Sequence, residues 1–500
     1  MDKELDELIR FVTRNKVKNI EIIGQTNGNN SMVQKFYHKL SEGAFKSDGE
    51  AARYFFGTDE KNRNYKELKR RLKKKLLNTI FFVDTNKGDL NSLLKFHYEA
   101  QKELAAAKIL RLRGLALNNS IAIALKILKK AQKYAMMDLI ADCAQILLYY
   151  YGTIIDIDNM KKYSALWQKA NFALQVEVKA FEYIHILVKL YMDNAPHTQI
   201  VHEKAKIFYQ ELSEYEDQLM SYRFHFFLRY IQTMIYDSIH DYDNSYKVVV
   251  ESITYLEKHT PWYLLAMRHF SKVKAELCIT LQKYDEGIET IKKLDEDKNV
   301  KTANWIILKG IYALLLVHDK RYSEAYDVIV EIFKLKSFFN LLVDHKERWI
   351  LLDAYMNYLI AINKLTPKKK KRFSVGKFLN TLPFFSKKKS NQNISILILH
   401  ILFLVHRKEY EKVEKRLASL HQYQLRYLNG DMNLRSQYFV KALQYLPKSN
   451  YRATELDTMA SKYIEQLNNT SMAASKQAFD VEIIPYEHLW DMLLGSLKSS

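Results

Sequence analysis

The chain of 500 residues is long enough for two to four domains or for one extended repeat array. Its 13 Gly and 6 Pro make up less than 4% of the residues, against a usual ~12%, and this scarcity of turn formers disfavours all-β and doubly wound α/β folds. The 77 Lys and Arg against 57 Asp and Glu give a net charge of +20, which favours nucleic acid, an acidic membrane or an acidic protein as partner.

The first residues start acidic and then scatter charges among apolar residues, unlike the basic-then-apolar order of a secretory signal. The only cysteines are Cys143 and Cys278, too few for a disulfide framework or a metal cluster. We therefore expect a cytoplasmic protein with no metal and no cofactor.

Residues 1–87 differ from the rest and predict a small N-terminal helical domain. A helix is predicted over Ser31–Leu40, and a second begins at Ser47, with Glu50 as its capping-box partner. A strongly basic helix follows from Tyr65 to Phe82.

The basic helix combines an apolar stripe with cations that lie largely off it. Residues 61–75 hold nine Lys or Arg and one Glu. The stripe is formed by Tyr65, Leu68, Leu72, Leu76 and Ile80. The cationic ridge, which can contact phosphates, is formed by Lys66, Lys69, Arg70, Lys73 and Lys74. A solvated face, nucleic-acid contact and an acidic protein partner all remain open. A helix-turn-helix is disfavoured, because about eight residues separate this helix from the preceding one where three or four are usual.

From residue 88 onward, apolar residues recur at three- and four-residue steps in segments separated by short polar breaks, which predicts successive helices. Four similar turns carry a tyrosine, at Tyr242, Tyr284, Tyr322 and Tyr410. Small residues are paired twelve positions apart around the first three turns, as Thr233/Ser245, Ala275/Gly287 and Ala313/Ala325. Small side chains allow two helices to approach to about 8 Å, so the spacing predicts paired antiparallel helices.

These turns resemble the core signature of tetratricopeptide (TPR) repeats. An apolar residue follows each turn at Val249, Ile291, Ile329 and Leu417, and Trp305 with Leu308 is similar to the opening of that motif. The period of about 40 exceeds the usual ~34, and the signature proline is missing. The resemblance implies an all-α, TPR-like α-solenoid of antiparallel helix hairpins over residues 88–498. An irregular α-solenoid with coincidental turns is the other interpretation.

The resemblance also implies a concave face, lined by the first helix of each repeat, where a helix or extended peptide can dock. In the first two repeats its lining residues are Phe227, Tyr230, Met234, His269, Lys272 and Glu276. Ile307 and Leu314 in the third repeat and Ile398 in the fourth continue the face. Only Lys272 matches the carboxylate clamp of some TPR proteins, so an apolar helical ligand is favoured over a C-terminal carboxylate.

A Lys- and Phe-rich insertion over residues 365–393 interrupts the repeats. Residues 364–389 hold ten Lys or Arg and no acidic residue. Its clustered cations are Lys368, Lys369, Lys370, Lys371, Arg372, Lys387, Lys388 and Lys389. Such a segment suits an anionic membrane or single-stranded nucleic acid. Alternatively, Phe378, Leu382, Phe384 and Phe385 pack the segment onto the repeats.

Two later segments are predicted to complete the array. The longest apolar run, Ile394–Val405, would span about 18 Å as a helix, well short of a ~30 Å hydrocarbon core, and is interpreted as a buried core helix. Tyr486–Leu497 is amphipathic enough to cap the C-terminal end.

No motif in the chain predicts catalysis. Phosphate-binding glycine loops, HExxH, CxxC and GxSxG are all missing from the sequence. His225 and His400 are predicted to be core or lining residues. Arg416 and His421 have the spacing of the HEPN-type ribonuclease motif, but one or two such pairs are expected by chance in a chain of this composition.

The preferred function is a non-catalytic protein-interaction scaffold or adaptor, with a protein or peptide as partner and no small-molecule substrate. The alternative is a nucleic-acid-associated regulator that uses the basic helix, with the repeats as its sensor. An anionic membrane surface is a further candidate partner.

Overall fold

The structure is a computed structural model, and its described part is all-α, with 21 α-helices and no β-strand among these residues. It describes residues 31–83, 92–113, 117–193, 198–219, 221–260, 263–294, 303–335, 337–338, 341–367, 373–381, 390–427, 433–474 and 482–498.

The chain divides into two compact units, residues 1–175 and 176–500. The helices that begin in the first unit are α1 (Met32–Ser41), α2 (Asp48–Phe56), α3 (Arg63–Ile80), α4 (Ser92–Arg113), α5 (Leu117–Lys133), α6 (Met137–Thr153) and α7 (Ile157–Asp193). The division falls within α7. The predicted boundary after residue 87 lies outside the described residues and stays a prediction.

Helices α8 to α21 belong to the second unit. They are α8 (Thr198–Ser213), α9 (Tyr222–Asp237), α10 (Tyr242–His259), α11 (Leu264–Thr280), α12 (Tyr284–Leu294), α13 (Ala303–His318), α14 (Tyr322–Ile332), α15 (Val343–Ala361), α16 (Val375–Thr381), α17 (Ser390–His406), α18 (Tyr410–Tyr427), α19 (Leu434–Leu443), α20 (Ala453–Asn468) and α21 (Tyr486–Lys498). Most helices pack against their neighbours in sequence, which makes the protein repeat-like.

The N-terminal helices begin where capping chemistry predicts. The Ser47 hydroxyl accepts a hydrogen bond from the Glu50 amide at 3.3 Å, as in a capping box. The Glu50 carboxylate accepts from the Lys46 amide at 2.8 Å, rather than from the cap residue itself. The Asn62 side chain caps α3, so this helix begins two residues before the predicted start at Tyr65.

One turn geometry recurs along the chain. At seven helix C-termini, and at Asn450 in the turns that follow α19, a residue other than glycine adopts a left-handed conformation, with φ between 49° and 62°. These residues are Ala135, Ile155, His240, Gln282, Lys320, Asn363, Lys408 and Asn450. The next amide donates to the carbonyl five residues earlier at 2.8–3.1 Å, which closes a Schellman motif. The scarcity of glycine is thereby explained, because other residues occupy the positions that glycine usually fills.

The predicted turn tyrosines lie at helix starts, and the predicted small residues are buried. Tyr242, Tyr284, Tyr322 and Tyr410 each begin the second helix of a pair. The small residues at the crossings are buried: Thr233, Ser245, Ala275, Gly287, Ala313 and Ala325. The four apolar residues that follow the turns are also buried. These residues are therefore buried within an all-α structure whose neighbouring helices pack against each other.

The longest apolar run lies in the core. Residues Ile394–Val405 form most of α17, and nearly all of their side chains are buried. The Tyr355 hydroxyl of α15 donates to the Ser395 carbonyl at 2.8 Å, which ties α15 to α17. Within the described part of the chain, no helix has both the length and the apolar character that a membrane crossing needs.

Candidate functional site

The predicted peptide-binding face lies on α9 and α11, the first helices of two successive pairs. Its residues are all half-buried: Phe227, Tyr230, Met234, His269, Lys272 and Glu276. Such side chains combine a fixed position with an accessible surface. Each of the six side chains is thus partly packed and partly accessible.

Aromatic rings join the two helices at this face. The rings of Tyr230 and His269 lie 4.5 Å apart at an interplanar angle of 70°. Buried Phe226 packs beneath them, with its ring 5.3 Å from that of His269. Phe227 extends the surface toward α7, where its ring lies 5.8 Å from that of Phe181. Edge-to-face contacts of this kind hold large apolar surfaces in a defined geometry.

The face is aromatic and carries little net charge at neutral pH. Burial lowers the pKa of His269 to about 4, with a smaller contribution from the Lys272 charge, so its imidazole is neutral. Lys272 and Glu276 form an ion pair at 3.3 Å along α11. Burial, together with the carboxylates of Asp237 and Glu276, raises the pKa of Tyr230. His269 Nε2 is itself buried, without a partner among the described residues, so the accessible part of this aromatic face suits an apolar segment.

The continuation of the face into later repeats is only partly as predicted. Ile307 on α13 is half-buried and accessible. Leu314 and Ile398 are buried in the hydrophobic core, so these two side chains do not line an open surface. The apolar periodicity of α13 and α17 runs almost all round each helix, which is why the sequence did not separate the lining residues from the core.

A pocket that the sequence did not predict lies between α9, α10 and α11. It has a volume of about 220 Å³ and is lined by His225, Phe226, Arg229, Glu251, Ser252, Tyr255, Leu256 and Phe270. His225 has its ring 5.1 Å from that of Tyr255 and Nδ1 3.8 Å from the carboxylate of Glu216. Burial lowers its pKa. His225 is thus a lining residue, one of the two roles predicted for it.

The predicted cationic patch lies on α3. All five of its residues, Lys66, Lys69, Arg70, Lys73 and Lys74, are exposed. Lys69 pairs with Asp48 at 2.7 Å, and Arg70 pairs with Glu67 at 2.7 Å. The neighbouring Arg70 and Arg71 hold the pKa of Glu67 at about 2. Carboxylates of α2 and α3 therefore neutralise part of the patch.

The apolar stripe of α3 is buried over only half of its length. Tyr65, Leu68 and Leu72 are buried against Val33, Phe36, Ala51 and Ala52 of α1 and α2. Leu76 and Ile80 are exposed, although they continue the same stripe. Among the described residues, α1 and α2 therefore cover the first half of the stripe, and Leu76 and Ile80 continue it beyond them.

The basic insertion is only partly described. Its cations Lys368, Lys369, Lys370, Lys371, Arg372, Lys387, Lys388 and Lys389 lie outside the described residues, as do Leu382, Phe384 and Phe385. Between the two clusters, α16 packs Val375 and Phe378 into the core. The ring of Phe373 stacks 5.7 Å from that of Phe403 on α17. Residues Phe373, Val375 and Phe378 of the insertion thus pack against the hydrophobic core and α17.

The two residues with the ribonuclease-motif spacing lie on one helix. Arg416 and His421 lie on α18, with Arg416 half-buried and His421 exposed. Burial lowers the pKa of His400 on α17 to about 4, with the nearby charge of Arg416 acting in the same direction. In the described part of the chain, no three His, Cys, Asp or Glu side chains cluster as a metal site would require.

A buried ionic cluster near the C-terminus also escaped prediction. Arg435 is 1% exposed and binds Glu482 through Nε at 2.7 Å and Glu487 through Nη2 at 2.8 Å. Its guanidinium also donates to the carbonyls of Leu467 and Thr470. This cluster joins α19, the end of α20 and α21, and its members are too far apart in sequence for any local pattern to reveal it.

No protein-family model matches the chain, and neither a curated protein nor a solved structure shows detectable similarity to it.

Proposed function

We propose that this protein is a non-catalytic interaction scaffold that binds an apolar helix or extended peptide on the face formed by α9 and α11. The observation that carries the proposal is the contact between Tyr230 and His269, whose rings lie 4.5 Å apart across the two helices. A ligand that spans both helices meets one aromatic surface there. Large aromatic side chains in fixed positions are the usual anchors of protein interfaces.

The proposed architecture behind this face is a TPR-like α-solenoid of antiparallel hairpins. It is supported by the recurring left-handed turns, the small residues at the crossings and the turn tyrosines. In such an array the first helices line one continuous surface, and stacked repeats bury a continuous core. We further propose that the protein acts in the cytoplasm without a metal or cofactor.

Reconstitution with a captured partner tests this function. Affinity capture from the native cell identifies partners, which are then purified and titrated against wild type, Tyr230→Ala and Lys272→Ala. We expect Tyr230→Ala to weaken binding by at least about tenfold, as for an aromatic anchor. Exposed Tyr149→Ala and Lys462→Ala are matched controls that should leave the affinity unchanged. Equal affinity of all four variants would place the binding site elsewhere.

The alternative, a nucleic-acid-associated regulator, has weaker support. Its patch on α3 is exposed, but Asp48 and Glu67 pair with Lys69 and Arg70. Six residues separate α2 from α3, which exceeds the turn of a helix-turn-helix. A salt titration of binding to DNA and RNA tests it. If the protein binds nucleic acid through α3, neutralising the cations of this patch should reduce both the affinity for DNA or RNA and its dependence on salt.

A further inference from the structure

The C-terminal end of α3 carries an exposed apolar surface beside its cations. Six consecutive or nearly consecutive apolar residues are 39–59% exposed: Leu76, Leu77, Ile80, Phe81, Phe82 and Val83. Exposed apolar residues are common singly, but a contiguous group of this size marks an interaction surface. We name these six residues the apolar tip.

The apolar tip is not needed for the core of its own helices. Tyr65, Leu68 and Leu72 already close the small core with α1 and α2. Beyond Leu72 the helix projects past that core. The hydroxyl of Tyr98 on α4 donates a hydrogen bond to the carbonyl of Ile80. This bond fixes the C-terminal end of α3, while the side chain of Ile80 remains exposed.

Cations and apolar residues share one side of this helix in a fixed order. Lys66, Lys73 and Ile80 are spaced seven residues apart and therefore lie almost in line. Leu77 lies one turn beyond Lys73 on the same side. At 1.5 Å per residue, Ile80 is about 10 Å further along the axis than Lys73. The exposed side thus changes from cationic to apolar along its length.

We propose that the end of α3 binds the surface of an anionic lipid bilayer, with the apolar tip inserted and the lysines at the phosphate level. Interfacial helices bury their apolar groups about 5–10 Å into the headgroup and acyl boundary. With the C-terminal end of α3 pointing into the bilayer, the offset of about 10 Å along the helix axis places Ile80 deeper than Lys73. Lys73, Lys74 and Lys75 flank the tip, and their long aliphatic stems let the ammonium groups reach the headgroups.

The chemistry of the tip favours a bilayer over the other anionic partners. Nucleic acid satisfies lysines, but it offers little to aliphatic groups such as Leu77 and Ile80. An acidic protein would need an apolar surface of matching shape. A bilayer of anionic lipids supplies a fluid apolar layer directly beneath a negative surface, and this order matches the order of groups along α3.

Vesicle flotation with the full-length protein tests the proposal. The vesicles are phosphatidylcholine alone, or phosphatidylcholine with about 30% phosphatidylserine as a typical anionic surface. One variant removes the apolar tip (Phe81→Ser with Phe82→Ser), and one removes charge (Lys66→Gln, Lys73→Gln and Lys74→Gln). The matched controls are Leu342→Ser with Val343→Ser, and Lys169→Gln, Lys415→Gln and Lys462→Gln, all at exposed positions of other helices or loops.

We expect binding to the anionic vesicles only, weakened at least about tenfold in each test variant and unchanged in both controls. Binding should also fall as the salt concentration rises from about 0.1 M to 0.5 M. Thermal unfolding verifies that each variant is folded. If the Phe81→Ser/Phe82→Ser variant is not folded, Leu77→Ser takes its place. The proposal is overturned by an absence of binding, by binding that the Phe81/Phe82 variant leaves unchanged, or by tighter binding to RNA or duplex DNA than to vesicles.

Discussion

Gly287 on α12 lies so close to Leu315 on α13 that a Cβ atom at position 287 would be 2.7 Å from Leu315 Cδ2. The same Cβ atom would lie 2.9 Å from Cys278 Cβ on α11. Three helices therefore meet at a point where only hydrogen fits. This steric restriction explains why the residue twelve positions after Ala275 is small.

Replacing Gly287 by Ala should destabilise the protein by about 1–3 kcal/mol, because overpacking outweighs the gain in helix propensity of about 1 kcal/mol. Leu315 can move a methyl group, but the Cβ atom of Cys278 is fixed to its backbone. Urea unfolding measures the change. Gly495→Ala on α21 is the control, since no atom lies within 4 Å of its added methyl group. If Gly287→Ala is as stable as Gly495→Ala, the close packing of α12 against α11 and α13 at Gly287 is contradicted.

Arg435→Met should destabilise the protein by about 3–5 kcal/mol, because it leaves the buried Glu482 carboxylate without its cation. Arg452→Met is the matched control. Arg452 pairs with Glu455 at 2.9 Å on the surface, where an ion pair contributes about 1 kcal/mol or less. Similar losses in the two variants, measured by denaturant unfolding, would contradict the assigned burial of the cluster.

His318 should make the protein acid-sensitive. Its Nε2 hydrogen bonds to the Glu482 carbonyl at 2.9 Å, yet burial lowers its pKa to about 3, with the charges of His488 and Arg435 acting in the same direction. In the unfolded chain, His318 has the ordinary histidine pKa of about 6.5 and binds a proton below that pH. Above about pH 6.5 His318 is neutral in both states, so burying it costs no stability there. The free energy of unfolding should therefore decrease as the pH falls from about 6.5 toward 3, by at most about 1.4 kcal/mol per pH unit.

The measurement for His318 is the free energy of unfolding between pH 7 and the acid limit, for wild type and His318→Gln. The variant should show a shallower dependence on pH in that window. Parallel curves for the two proteins would mean that His318 is not held neutral by its surroundings.

Ile155→Gly should stabilise the protein by about 0.5–1 kcal/mol. Ile155 is 77% exposed with φ of 58°, a conformation that strains a β-branched residue by about 1–2 kcal/mol, whereas glycine adopts it freely. The adjacent Ile154 has φ of −89°, so Ile154→Gly should instead destabilise. Thermal unfolding distinguishes the two substitutions. A loss of stability in both would show that the left-handed turn is not formed.

The helix pairs were predictable because their signals are local. Each turn tyrosine, with the small residue before it, lies within one pair and follows helical spacing. The left-handed conformation of the turn residues was not predictable from the sequence, because residues such as Ile155 and Lys320 occupy positions where glycine is usual. Their geometry is set by the two helices that each turn joins.

The candidate site was predictable only in part, for a related reason. Tyr230 and His269 belong to different pairs, and only the alignment of the repeats brought them together. The alignment failed at Leu314 and Ile398, because their helices are apolar on nearly every side. The Arg435–Glu482 pair joins residues 47 positions apart and needed the folded structure.

The most direct test of the α9–α11 face is photo-crosslinking in the native cell from a photoreactive residue placed at position 230, with Tyr149 on α6 as the matched control position. We expect position 230 to yield a discrete crosslinked protein that is missing at position 149. The crosslink should also disappear when Lys272 and His269 are replaced by Ala. No crosslink at position 230, or the same products at both positions, would contradict the proposal that this face binds a partner.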